Sequence, residues 1–110
     1  SLGDYKQTSA RDKTDKEPIV SKIVTTINGR VPLIGSGSII NNNDIKDALH
    51  LGYSLVALGM ITISDKDAVL KLKNNEEPSR KISEDSLLPT PLFERIKKWK
   101  GIEDKGFYVK

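Results

Sequence analysis

The sequence predicts an α/β fold built on a parallel sheet. Helical and extended apolar spacings alternate along the chain, in the order helix, strand, helix, strand, helix, with short connections between them. The two extended runs, residues 31–36 and 53–58, are short and apolar, and glycine breaks each at its C-terminal end: Gly35 and Gly37 at the first, Gly59 just after the second. Continuous apolar character is what a strand covered on both faces requires.

Residues 1–16 are polar and charge-mixed without a period, and read as a loop. Ile19, Val20, Ile23, Val24 and Ile27 then fall at helical spacing. Pro18 suits the first turn of that helix, and Gly29 suits the position just past its end. Residues 31–36 form the first strand. Asn41, Asn42 and Asn43 are good helix N-caps, and Ile45, Ala48 and Leu49 line one face of a short helix that stops at Gly52. Residues 53–58 form the second strand, which leads into Gly59-Met60. Ser64 and Asp65 are the next cap candidates, for a helix carrying Ala68, Val69 and Leu72 and ending near Asn74-Asn75. Residues 76–90 contain Pro78 and Pro89 and read as an irregular arm. Leu92, Phe93, Ile96 and Trp99 predict a short amphipathic helix, followed by a tail over residues 101–110. The division is thus residues 1–75 as strand–helix units and residues 76–110 as arm and tail.

Composition narrows the function. The chain has 110 residues, no cysteine and one histidine, His50. Disulfides, thiolate metal sites and cysteine nucleophiles are excluded, and no histidine-based metal site or catalytic triad is expected. No apolar run approaches the roughly 20 residues that cross a bilayer, and no signal peptide is visible, so a cytoplasmic protein without a membrane partner is expected. Residues 91–110 hold six cations and three acids, which accounts for the whole net charge of +3. That is too sparse a stripe to predict nucleic-acid binding. Asp65 and Asp67 read as capping and first-turn charge rather than a metal pair. His50 reads as a surface residue at a helix C-terminus, where a cation is favoured.

Glycine at the end of a buried parallel strand opens backbone N–H groups to a close ligand. In a (β/α)8 barrel the last two strands and the loops after them often build a phosphate site. A phosphate-bearing cofactor across Gly37 and Gly59 is therefore expected, although both glycines also suit plain turns. Two strands are about a quarter of a barrel, which has eight strand–helix units in about 250 residues. The chain reads as part of a longer one, with the upstream part of the same barrel as its partner. An unfinished barrel edge formed by Val31, Leu33 and Leu55 would favour association, so a homo-oligomer is expected.

The run Gly35-Ser36-Gly37-Ser38-Ile39, the asparagine-rich cap, the helix ending at Gly52 and the run Leu55-Val56-Ala57-Leu58-Gly59-Met60 together resemble the C-terminal part of the old yellow enzyme family. Those proteins are NAD(P)H-dependent flavin oxidoreductases on a TIM barrel. Ser1-Leu2-Gly3 looks like the end of the family's sixth strand, and Gly106-Phe107-Tyr108 like its tail. The resemblance implies strands seven and eight of the barrel, FMN as cofactor, NAD(P)H as reductant and a small activated alkene or carbonyl as substrate. It implies that FMN is held by its phosphate at Ser36 and Gly37 after the first strand and at Gly59 and Met60 after the second. The family usually has arginine where Met60 stands, so the charge of that contact is missing. The family's substrate-binding pair and proton donor belong to upstream strands. No catalytic residue and no metal ligand is expected on this segment, and the segment alone should be inactive. The alternative is a small α/β module that holds a phosphate ligand without redox activity.

Overall fold

The spacing of apolar residues after Pro18 folds as α1, Ile19–Ile27, which buries Val20. Its chain exit turns through Asn28 in the left-handed region, with Gly29 next. The computed structural model describes residues 4–83 and 88–109. They fall into two units, Ser1–Leu58 and Gly59–Lys110. The resemblance of Ser1-Leu2-Gly3 to a strand end lies outside the described residues. Among the described residues, no helix is long and apolar enough to cross a membrane.

In the first unit, β1 (Ile34–Gly35), α2 (Asn42–Leu51) and β2 (Leu55–Val56) follow α1. Strands β1 and β2 pair in parallel, Ile34 against Leu55 and Gly35 against Val56. The Ala57 N–H adds a bond of 2.7 Å to the Gly35 carbonyl. The regular pairing is shorter than the apolar runs for two local reasons. At the start, the Leu33 N–H donates to the Ser54 side chain rather than to backbone, and the preceding Pro32 has no N–H to donate. At the end, Gly37 swings to φ 94° and carries the chain out of the sheet.

Helix α2 begins as its sequence directs. Asn41 caps it by accepting the Asp44 N–H at 3.0 Å. His50 is exposed in its last turn, and its Nδ1 donates to the Lys46 carbonyl at 2.8 Å. That bond makes Nδ1 the protonated nitrogen.

The core of this unit is Tyr5, Val20, Ile39, Ala48 and Tyr53, with Val24, Leu33, Ile45, Leu51, Val56 and Leu58 packed around it. Burial on both faces of the sheet is not what the chain shows. Ile34 and Leu55, partners in register and so on one face, are 61% and 59% exposed, whereas Gly35 is buried. One face is covered by the core and the other is open.

The polar opening segment is also more ordered than its composition predicts. Thr8 bridges Pro18, and Tyr5 is almost fully buried. The Tyr5 N–H donates to the Gly37 carbonyl, and the Tyr53 hydroxyl donates to the Tyr5 carbonyl at 2.8 Å.

The second unit opens with α3, Met60–Ser64, a stretch after the second strand to which the sequence assigns no element. Its β-branched Ile61, Thr62 and Ile63 disguise a helix. The turn is set by Thr62, whose N–H and hydroxyl both donate to the Gly59 carbonyl. Helix α4, Ala68–Lys73, follows. Strand β3 (Lys81–Ile82) then pairs in parallel with β4 (Tyr108–Val109), and α5 (Thr90–Lys98) and a 3-10 turn (Lys100–Ile102) lie between them in sequence. The sequence reading assigned β3 and β4 to the arm and tail, because two-residue strands carry no visible alternation. Buried side chains here include Ile61, Ala68, Leu72, Ile82, Phe93, Ile102 and Phe107.

Candidate functional site

Parallel pairing puts the C-terminal ends of β1 and β2 on one edge of the first unit's sheet, and the turn from β1 into α2 sits at that edge. Ser36 is half-buried there. Gly37 and Ser38 follow with φ 94° and 60°. The left-handed region is open to glycine at no steric cost, but a serine there is strained. Two consecutive residues of this kind reverse the chain tightly before Ile39 returns it to the core.

A helix N-terminus is an obvious place for an anion, yet the start of α2 is already committed. The Asp44 N–H goes to the Asn41 side chain, and the Ile40 N–H goes to Asp44 Oδ2 at 3.0 Å. The carboxylates of Asp44 and Asp47 also share the Tyr5 hydroxyl, at 3.3 and 2.9 Å. Burial first, and these carboxylates next, push the Tyr5 phenol above its ordinary pKa. It remains a neutral donor. Negative charge at α2 repels a second anion, so any phosphate contact in this unit falls to the turn at residues 36–38.

Gly59 and Met60 lie in the second unit. Gly59 stands immediately before α3, and Met60 is the first residue of that helix. A Cβ built on Gly59 meets nothing within 4 Å, so packing does not require glycine at this position. Gly35 differs. A Cβ there would lie 2.7 Å from Tyr53 Cγ, so this glycine serves packing against the tyrosine ring and not ligand access.

Ser36 and Gly37, both in the first unit, fit a phosphate monoester in kind. They offer a hydroxyl, backbone N–H groups and small side chains, which suit close approach.

The sequence reading missed Asp65 as a structural centre. Its carboxylate is buried, accepts the Asp67 and Ser79 N–H groups at 2.9 Å each, and pairs with Lys71 Nζ at 2.6 Å. The Ser64 hydroxyl donates to the Ser79 carbonyl, tying the same loop a second time. Burial raises the Asp65 pKa, but the Lys71 pair and the two amide bonds outweigh it and leave the carboxyl below its ordinary range. A cavity of about 420 Å3 beside it is lined in part by Ser64, Asp65, Lys71 and Ser79. Its lysine and carboxylate neutralise each other, and the cluster braces the loop rather than recruiting a ligand. The only signal in the sequence was an aspartate between two short helices, which reads equally well as a cap.

Comparison with known proteins gives one informative likeness. Over 101 residues the chain is 30% identical to an NADH:acrylate oxidoreductase of Vibrio harveyi. The chain is thus similar to part of an NADH-dependent oxidoreductase. The matched region covers 86% of this chain and 10% of the relative, so the chain spans about a tenth of the length of the curated relative it matches. By its name, that protein passes electrons between NADH and acrylate. No protein-family model matches the chain, and no solved structure matches it.

Proposed function

We propose that this chain is the phosphate-holding end of an FMN-dependent NAD(P)H oxidoreductase of the ene-reductase kind. The likeness to the NADH:acrylate oxidoreductase carries the reading, since acrylate is a small activated alkene. The parallel β1–α2–β2 unit supports it, because such a unit is the building block of a (β/α)8 barrel. In this reading β1 and β2 are the seventh and eighth barrel strands. The open face bearing Ile34 and Leu55 is then covered by upstream strands of the same barrel.

FMN, when bound, supplies the hydride chemistry. In the first unit the Ser36 hydroxyl and the backbone at Gly37 hold its phosphate. Gly59 and Met60 open the second unit, and Met60 offers no charge to a phosphate. The proton donor and the substrate-binding pair are supplied from outside this segment, and the segment alone has no turnover.

Gly37→Val in the full-length protein tests the contact. A β-branched side chain would crowd the turn and block close approach of the phosphate. FMN affinity should fall at least about tenfold, which corresponds to about 1.4 kcal/mol. Ser36→Ala leaves the backbone alone and should weaken FMN by a smaller factor. Unchanged affinity in both variants, by flavin fluorescence titration, would remove this turn from the site.

A further inference from the structure

Helix α5 buries Phe93 and leaves an apolar stripe uncovered. Leu92 and Trp99 are 43% and 45% exposed. Leu92, Arg95 and Ile96 follow the i, i+3, i+4 spacing of a single helix face, and Trp99 is the extended residue that ends the helix. Arg95, Ile96, Lys98 and Trp99 line a shallow depression of about 530 Å3. The indole lies against Gly101, where an added Cβ would come within 2.8 Å of Trp99 Nε1. Among the described residues the ion pairs are Lys22–Asp15, Lys71–Asp65 and Arg80–Glu77, and none engages Arg95 or Lys98. Residues 91–110 also carry the whole net positive charge of the chain.

Cations in the last turn of a helix offset its dipole, which explains Lys97 and Lys98. It does not explain a half-exposed tryptophan that shares a depression with Ile96. We propose that this face of α5 docks an acidic segment of a protein partner, which places one apolar side chain against Ile96 and Trp99 and its carboxylates against Arg95 and Lys98. Tryptophan and arginine are the residues that dominate protein interfaces. Charge complementarity fixes the sign of the partner. A membrane surface fits less well, because an interfacial helix needs a broad apolar face, and Phe93 is turned inward.

Trp99 is the only tryptophan of the chain, so its fluorescence reports this face alone. The 110-residue chain would be titrated with a short peptide of aspartate and glutamate around one central leucine. Parallel titrations would use the same peptide with alanine for the leucine, a lysine counterpart, and vesicles containing phosphatidylserine. The expected result is a saturable blue shift with the leucine peptide only. Binding should weaken at least about tenfold with the alanine peptide and with Arg95→Glu. Lys98→Glu, also at the surface, should weaken it in the same direction, with circular dichroism confirming that both variants stay folded. A shift with the vesicles or the lysine peptide, equal binding of the alanine peptide, or no shift with any probe would overturn the proposal.

Discussion

Gly35→Ala is expected to cost the first unit about 2–3 kcal/mol of stability. The added Cβ would sit 2.7, 2.8 and 2.9 Å from three carbons of the Tyr53 ring, inside normal contact distance. The ring has little room to retreat. It is buried, and its hydroxyl is tied to the Tyr5 carbonyl. Overpacking of a fixed core costs about 1–3 kcal/mol, and a displaced ring forfeits a hydrogen bond worth about 0.5–1.5 kcal/mol. Urea denaturation followed by circular dichroism measures the loss. A second substitution identifies its cause. Tyr53→Leu removes the ring, so Gly35→Ala should cost far less in that background, giving a large coupling energy between the two sites. Additive losses would mean that the glycine is needed for something other than the tyrosine.

Asp65→Ala should cost the second unit about 2–3 kcal/mol. Removing one partner of a buried ion pair costs about 3–5 kcal/mol when the other charge is stranded. Lys71 is 34% exposed and can return to water, which lowers that figure. The two amides left behind, on Asp67 and Ser79, add an unsatisfied-donor cost. Asp65→Asn retains an acceptor and should lose roughly half as much.

The pH dependence follows from the direction of the shift. The folded-state pKa of Asp65 lies below its unfolded value. The stability it contributes is therefore fully present above the ordinary aspartate range, about pH 4, and is lost as pH falls through the depressed folded value. Stability measured downward from pH 5 should fall more steeply for the native chain than for Asp65→Asn. Parallel slopes would show that Asp65 is not the group responsible.

The helices were legible where their ends carry chemistry. Pro18 and Gly29 bracketed α1, and Asn41 and Gly52 bracketed α2, because each supplies or removes a specific backbone bond. The pairing of β1 with β2 was legible in two glycine-ended apolar runs flanking one helix. Helix α3 was not, because its β-branched residues favour extended chain on propensity and only the local bonds of Thr62 to Gly59 decide otherwise. The β3–β4 pair was invisible, as its partners stand 27 positions apart in sequence and each strand is two residues long. Tyr5 and Asp65 were missed for a shared reason. Their importance comes from burial, and burial of a polar side chain is settled by partners distant in sequence. At the candidate site, the glycines could be read from the sequence. The commitment of the α2 N-terminus to Asn41 and Asp44 could not, since it depends on where the Asp44 carboxylate points.

The flavin content of the full-length protein tests the central claim most directly. Purified without added cofactor, it should be yellow, and the flavin released on denaturation should be FMN. Addition of NADH under anaerobic conditions should bleach the bound flavin, and acrylate or another small activated alkene should restore the colour. A colourless full-length protein that takes up no FMN on titration, yet unfolds cooperatively, would contradict the account.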